Sequence, residues 1–288
     1  MRISSCFHQG RPTLSFEIFP PKGDLSLELA RGVLAGLAPL SPDFVSVTCS
    51  AGGSGSSART IDIAAEAQDG FGLTALAHQT CAGFTRAQIA QNAARLRHAG
   101  VENVLALRGD AADDGAPMAY AHASDLIPAL RDAGLCVGAA CYPEGHIACD
   151  SLQRDLQYLK AKEDAGASFF ISQLFFDNAC FLRFLEKARA AGVRAPILAG
   201  VMPILSKSQV SRMIFLCGVS LPASVVRLLW RYESDAPSLR SAGIELAARQ
   251  TAQLLDAGVD GVHLYTMNHP DIAAQELDLL RRSGHVRA

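Results

Sequence analysis

The sequence predicts a single (β/α)8 barrel, on three observations. The first is punctuation. The dipeptide Ala-Gly recurs at 99–100, 133–134, 165–166, 191–192 and 257–258, each time after a helix-like stretch and before a short run ending in a polar residue. Glycine just past a helix end takes the left-handed cap without strain, and the run that follows reads as a strand. The second is alternation: strand-like runs of four to six residues exchange with helical patterns and no Asn-Gly hairpin intervenes, which means β-α units and a parallel sheet. The third is number, since eight such runs close a barrel. The competing open, doubly wound sheet usually carries G-x-G-x-x-G after its first strand, whereas here that strand ends in Phe19-Pro20-Pro21. The Gly52-Gly53-Ser54-Gly55 run has the wrong spacing, follows the second strand, and reads as a flexible loop.

Taken in chain order, the first strand is Leu14–Phe19. Leu14, Phe16 and Ile18 share one face, so Ser15 and Glu17 share the other and point into the barrel. Phe44–Thr48 and Leu73–Ala77 are the next strands, followed by a helix over Thr85–Ala99 and the strand Asn103–Leu107. On that strand Val104, Ala106 and Arg108 line one side. A helix over Ser124–Ala133 leads to the strand Val137–Cys141. A helix over Asp150–Ala165, with Leu152, Leu156 and Leu159 at helical spacing, leads to Phe169–Ser172. The helix Asn178–Ala191 precedes Ile197–Val201. Extra helical sequence at Pro222–Tyr232 is an insertion before the helix Ser238–Ala257 and the last strand, Val262–Tyr265.

A length of 288 residues admits two average domains or one barrel; with no linker in sight, one domain over residues 1–288 is expected. The balance of 26 Lys+Arg against 28 Asp+Glu leaves no electrostatic footprint for nucleic acid or an anionic membrane. Apolar residues make up 49% of the chain, enough for a large core and too many for a disordered chain. No apolar run reaches the ~18–20 residues of a membrane helix, and the N-terminus lacks a signal peptide's apolar stretch. A cytoplasmic protein is expected, with homo-oligomers open. Cys6, Cys49, Cys81, Cys136, Cys141, Cys149, Cys180 and Cys217 form no C-x-x-C pair, and only His146 with Cys149 approaches ligand spacing. Reduced thiols acting as small hydrophobes are expected, and no metal site.

In such a barrel the loops after the strands' C-terminal ends build the active site. Those ends carry Glu17, Thr48, His78, Arg108-Gly109-Asp110, Tyr142-Pro143-Glu144-Gly145-His146, Gln173, Pro203 and Tyr265. A carboxylate buried there needs a partner or a task. Glu17 reads as a reacting acid or as an ion pair to Arg108 that closes the mouth, and its place in the fold favours chemistry. His78 reads equally as a functional group or as a core histidine donating to a backbone carbonyl. Gly109 permits close approach of a ligand to the backbone, and the guanidinium fork of Arg108 suits phosphate. Asp155, Lys160 and Lys162 lie on the helix after strand five, where a solvated charged face is the default. These patterns define a barrel with an acid and an anion-binding arginine. They do not define a reaction.

The motifs themselves resemble a known family. Ser15-Phe16-Glu17-Ile18-Phe19-Pro20-Pro21-Lys22 is similar to the opening signature of methylenetetrahydrofolate reductases. The likeness continues through Phe44–Thr48, His78-Gln79-Thr80-Cys81, Leu107-Arg108-Gly109-Asp110, Ala123-Ser124-Asp125-Leu126 and Tyr142–His146. It goes on through Lys160–Gly166, Gln173-Leu174-Phe175-Phe176-Asp177, Gly200-Val201-Met202-Pro203 and His263–Asn268. Each is weak alone; in family order across nearly the whole chain they are specific.

The resemblance implies a flavin-dependent (β/α)8 barrel that binds FAD and reduces 5,10-methylenetetrahydrofolate to 5-methyltetrahydrofolate, with NADH or NADPH as the electron donor in a ping-pong mechanism. By position, it implies Glu17 as the general acid that helps open the folate's imidazolidine ring, and Asp110 beside the flavin ring. Thr48, His78, Arg108, Gly109, Asp110, Ala123, Tyr142, His146, Asp155 and Lys162 match flavin-binding positions, and Gln173 and Gln209 match positions that contact folate or nicotinamide. The chemistry asks for such groups: the folate aminal resists hydride until one C–N bond breaks, and a carboxylic acid in a water-poor pocket can protonate the leaving nitrogen. Arg108 and Lys162 supply charge suited to a pyrophosphate.

The chain also departs from the family. Met213 stands where bacterial members usually carry a Phe that stacks on both substrates, and His269 stands where Arg is common. Ala161 replaces a basic residue on the flavin side, and His122 sits where Tyr is usual. These changes bear on nicotinamide more than on folate. The regulatory domain of eukaryotic members is missing, so control by S-adenosylmethionine is not expected. The alternatives are a flavoprotein of the same family with a different electron donor or partner, and a non-catalytic folate- or flavin-binding subunit of a methyl-transfer system. Keeping both Glu17 and Asp110 counts against the last.

Overall fold

Eight parallel strands pair in chain order and β8 returns to β1, so the barrel is closed. The strands are β1 (Thr13–Ile18), β2 (Phe44–Val47), β3 (Ala75–Thr80), β4 (Asn103–Leu107), β5 (Cys136–Cys141), β6 (Phe169–Ser172), β7 (Ile197–Val201) and β8 (Gly261–Tyr265). The computed structural model describes residues 1–21, 26–49, 54–109 and 118–286. Around the barrel run α1 (Ser26–Leu37), α2 (Ser54–Asp69), α3 (Arg86–His98), α4 (Ala123–Asp132), α5 (Leu152–Asp164) and α6 (Asn178–Ala190). They are followed by α7 (Lys207–Cys217), α8 (Ala223–Arg231), α9 (Ala236–Asp256) and α10 (Pro270–Arg282). The insertion read at 222–232 is α8 with its flanks.

The alternation within strands sorts side chains into two apolar shells. Phe16, Ile18, Val45, Val47, Val104 and Ala106 face the helices in one large cluster. Phe44, Leu76, Leu105, Phe169, Ile171 and Leu198 fill the barrel's interior, closed by Ile3 of an N-terminal 3-10 turn with Phe7 packed against them. Above this plug the inward positions turn polar: Ser15, Ser46, His78 and His263 are all buried. The five Ala-Gly pairs fall where the sequence placed them, each glycine with φ between 69° and 114° just beyond a helix.

Three expectations are corrected. The third strand was expected over Leu73–Ala77 and lies at Ala75–Thr80, because His78, Gln79 and Thr80 pair in register with Leu105, Ala106 and Leu107. Their polarity is met inside the fold, Gln79 accepting from Asn92 Nδ2 at 3.0 Å. Ser54 and Gly55, read as loop, open α2; Gly52 and Gly53 lie outside the described residues. The helix expected from Ser238 begins earlier, at Ala236, since Asp235 caps it by accepting from Ser238 N at 3.1 Å.

Candidate active site

The register of β1 between β8 and β2 builds the floor of the site. Ser15 pairs with His263 and with Phe44, and Glu17 pairs with Tyr265 and with Ser46. His263, fully buried, has Nδ1 2.8 Å from Ser15 Oγ and Nε2 3.3 Å from Glu17 Oε2. On the other side, His78 Nε2 lies 2.6 Å from Ser46 Oγ and 3.7 Å from Glu17 Oε2. Burial lowers the His78 pKa to about 4; Glu17 opposes the shift and His263 adds to it. His78 is therefore a neutral imidazole at physiological pH.

These contacts replace both bland readings. Glu17 makes no ion pair with Arg108, whose side chain follows the inward Leu107 on β4 and so turns the opposite way, toward α4 and α5. His78 meets a serine hydroxyl rather than a backbone carbonyl. Tyr265 closes the floor by donating to Ser172 O at 2.9 Å. It does so across Gly200, where a Cβ would stand 2.4 Å from Ser172 O and 2.9 Å from the Tyr265 ring. Burial raises the Tyr265 pKa well above that of an ordinary phenol.

Above the floor lies a pocket of about 1020 Å³ lined by Glu17, Thr48, His78, Arg108, Gly109, Tyr142, His146 and Gln173, among others. Gly109 takes φ 76°, and a Cβ there would come within 3.0 Å of Thr80. A second compartment of about 880 Å³ opens between the ends of β4 and β5 and the helices α4 and α5, lined by Arg108, His122, Ala123, Tyr142, His146, Asp155 and Lys162. The two adjoin, with Leu107, Arg108, Ala140, Tyr142 and His146 lining both, and together they form the cleft.

Lys162 and Asp155 are not on a solvated face. Lys162 donates to Ala140 O at 2.8 Å, and its ammonium stands 5.4 Å from the centre of the Tyr142 ring. Burial lowers its pKa and raises that of Asp155, each charge opposing the other's shift. Lys160 alone of the three is a surface residue in character, paired with Glu163 and Asp164. Among the described residues no carboxylate lies within ion-pair distance of Arg108 or Lys162, so the cleft presents two positive charges to an incoming anion. Tyr142 and His146 meet edge to face at 4.6 Å and form its common wall.

Of the remaining expected residues, Gln209, Met213, His269 and Ala161 do not line these compartments, whereas His122 lines the outer one. Gln209 spans a turn, its Oε1 accepting from Leu205 N at 2.8 Å and its Nε2 donating to Pro203 O at 3.2 Å. Met213 packs on the cluster of Leu174, Met202 and Val219 beside Tyr265. His269 is half-exposed before α10, with Nδ1 3.8 Å from Asp271. Ala161 is exposed, and His122 stacks on Tyr158 at 6.4 Å. Asp110 lies outside the described residues. Sequence reasoning missed the roles of Ser15, Ser46 and His263. Inward alternation on β1 pointed to Ser15, but nothing local said which residue of β8 or β2 would oppose it. Among the described residues no three His, Cys, Asp or Glu side chains stand together as a metal site, and no helix is long and apolar enough to cross a membrane.

These features define a (β/α)8 protein with an acid beside two imidazoles at the C-terminal mouth of its barrel and a cation-bearing cleft next to it. The sequence matches the family model of methylenetetrahydrofolate reductase over residues 2–280, and the chain belongs to this family. It is 34% identical over 267 residues to the 5,10-methylenetetrahydrofolate reductase of Escherichia coli, covering 92% of this chain and 89% of that one. It is 33% identical over 286 residues to methylenetetrahydrofolate reductase (NADH) 1 of Arabidopsis thaliana, covering 93% of this chain but 48% of the relative; the chain spans about half the length of that plant protein. Among solved structures, an uncharacterized protein from Clostridium thermocellum that binds two copies of 5-methyl-5,6,7,8-tetrahydrofolic acid shares the fold, with TM-score 0.69 at 12% identity over 96% of this chain and 99% of that one.

Proposed function

We propose that this chain reduces 5,10-methylenetetrahydrofolate to 5-methyltetrahydrofolate with FAD as its cofactor. The observation that carries the proposal is Glu17, fixed between His263 and His78 at the base of a pocket that continues into the cation-bearing cleft. The residues fit a dinucleotide: two compartments adjoin, Arg108 and Lys162 suit a pyrophosphate, and the Gly109 backbone lines the inner compartment. Held by Arg108, Lys162 and the wall of Tyr142 and His146, FAD would supply hydride transfer between a reduced nicotinamide and the folate carbon.

The chain's own residues do the rest. Thr48, His78, Gly109, Tyr142 and His146 hold the flavin-side wall, and Ala123 and Asp155 the far compartment. Gln173, on the lining beside Glu17, orients the pterin. Glu17 donates its proton to the leaving nitrogen of the aminal, so the C–N bond breaks before hydride arrives. His263 and Ser15 hold the carboxyl in place. The family resemblance assigns Asp110 to the flavin's side and Gln209, Met213 and His269 to the substrates' side, although the last three stand outside the pocket lining here. The fold neighbour's ligand, a 5-methyl folate, belongs to the same substrate class.

The test is anaerobic titration of the flavin-loaded protein with NADH, NADPH and methyltetrahydrofolate separately, followed by identification of the flavin released on denaturation. Bleaching by a dinucleotide and by the methyl folate, with FAD released, supports the reading; FMN, or no flavin after reconstitution, overturns the site. A second reading, the same chemistry with another electron donor, is favoured by Met213 and by His269, which Asp271 already faces.

A further inference from the structure

The loop after β5 carries Tyr142 and His146, the wall common to both compartments, yet Glu144 between them lines neither. Its carboxylate turns outward and accepts three hydrogen bonds from Ser220: the backbone N–H at 3.2 Å to Oε1 and 3.0 Å to Oε2, and the hydroxyl to Oε2. Gly145, at φ 89°, reverses the chain so that Glu144 and His146 face opposite ways. Ser220 sits between α7 and α8, next to Val219, which is buried with Leu174 and Met202 in the cluster that also holds Met213. The backbone passes close by alongside, since a Cβ added at Gly218 would lie 3.5 Å from the Ile147 side chain.

β5 and β7 are not neighbours, since β6 stands between them. The Glu144–Ser220 link therefore bridges the mouth over β6 and joins the loop of Tyr142 and His146 to the α7 segment of Gln209 and Met213. A carboxylate receiving two donors from one residue makes a charge-assisted and directional contact. We propose that Glu144 is a positioning residue: by clasping Ser220 it sets the separation between the flavin-side wall and the substrate-side helix, and so the width of the entrance through which the substrates pass. The proposal rests on the functional reading above, but the clasp itself exists without cofactor.

The experiment compares Glu144→Ala, Glu144→Gln and Ser220→Ala with the wild type in two measurements. In hydrogen exchange on the cofactor-free protein, Glu144→Ala is expected to speed exchange ~10-fold in the segments 143–149 and 218–222 and to leave the barrel strands unchanged. In steady-state kinetics of the flavin-loaded protein it is expected to raise the folate KM by ~10-fold with kcat within about twofold, the pattern of lost binding geometry rather than lost chemistry. Glu144→Gln, which still accepts from Ser220 N, restores most of both, and Ser220→Ala falls between. Unchanged exchange and KM overturn the clasp. So does a parallel fall of kcat and melting temperature, which marks a merely structural residue, or a Gln variant no better than Ala. A wild type that turns over no folate overturns the functional reading instead, and the exchange comparison then decides the clasp alone.

Discussion

His263 Nε2 stands 3.3 Å from Glu17 Oε2 while its Nδ1 lies 2.8 Å from Ser15 Oγ, so one buried imidazole connects the depth of the barrel to the acid at its mouth. The pairing of Ser15 with His263 and of Glu17 with Tyr265 makes this possible. The imidazole starts level with Ser15 and leans up toward the carboxyl. Ser15 Oγ also donates to Val262 O at 3.3 Å, which ties the serine to the strand that carries the histidine. His78, neutral on the other side, adds no competing charge. Glu17 is hydrogen-bonded on the His263 side and flanked by His78 on the other, and it lines the pocket.

That arrangement separates the two half-reactions. Glu17→Gln keeps the shape and the contact with His263 but removes the proton donor. Flavin reduction by the nicotinamide should persist, while flavin reoxidation by methylenetetrahydrofolate should fall by at least ~10²-fold, the scale of a lost general acid. Stopped-flow absorbance reads both. An equal fall in the two half-reactions would make Glu17 a structural residue and falsify its role as acid.

A steric prediction concerns Gly200. Tyr265 reaches Ser172 O only because nothing projects from Gly200, where a Cβ would meet that oxygen at 2.4 Å. Gly200→Ala must push either the strand or the tyrosine aside, at a cost of ~1–3 kcal/mol. Calorimetry should show Tm lowered by several degrees. A variant melting with the wild type would mean that the tyrosine does not cross the strand there.

How much of this was legible in the sequence follows from the range of the forces involved. Strands Asn103–Leu107, Phe169–Ser172 and Ile197–Val201 were read to the residue, because a continuous apolar run and a glycine-capped helix are local signals. Strand β3 slipped because His78, Gln79 and Thr80 look like a loop until Asn92 and Ser46 supply partners from other elements. Lys162 looked solvated for the same reason: a lysine on a helix is exposed by default, and only the packing of α5 on β5 turns it onto Ala140 O. Glu17, Arg108 and Tyr142 were legible as strand-end residues. Which of them touch depends on barrel closure, which no spacing encodes.

Two buried groups make stability depend on pH in opposite directions. The His78 pKa falls from the usual 6.5 to about 4 in the fold. The folded state therefore binds fewer protons, and stability is lost as pH drops through the window from 6.5 to 4. Burial raises the Glu276 carboxyl from the usual 4.5 to about 7, opposed by the hydrogen bond from Thr251 Oγ1 at 3.0 Å. Here the folded state binds more protons, so stability is complete below 4.5 and lost as pH rises toward 7. Each shift corresponds to ~3 kcal/mol. Glu276→Gln should therefore stabilise the protein at pH 8 by a gain of that order and change little at pH 4, measured by denaturant unfolding. The same change in stability at both pH values would remove the titration from the account.

The last prediction concerns Met213 and His269, where the chain leaves its family. A Phe ring offers a flat face to nicotinamide and pterin, and an aromatic contact is worth roughly 0.5–1.5 kcal/mol beyond burial. Met213 instead packs on Leu174, Met202 and Val219 and fills space without imposing a geometry. His269 is a weaker anion anchor than Arg, and Asp271 at 3.8 Å already faces it while Arg240 holds that same aspartate. Nicotinamide should bind about tenfold more weakly than in relatives carrying Phe and Arg, a difference of ~1.4 kcal/mol. Folate should lose less, because Gln173 lines the pocket beside Glu17 whatever stands at 213. Met213→Phe, alone and with His269→Arg, should tighten one dinucleotide in single-turnover flavin reduction and thereby name the donor. If the wild type already reduces rapidly and neither variant alters dinucleotide affinity, the two departures are neutral and the preference lies elsewhere in the cleft.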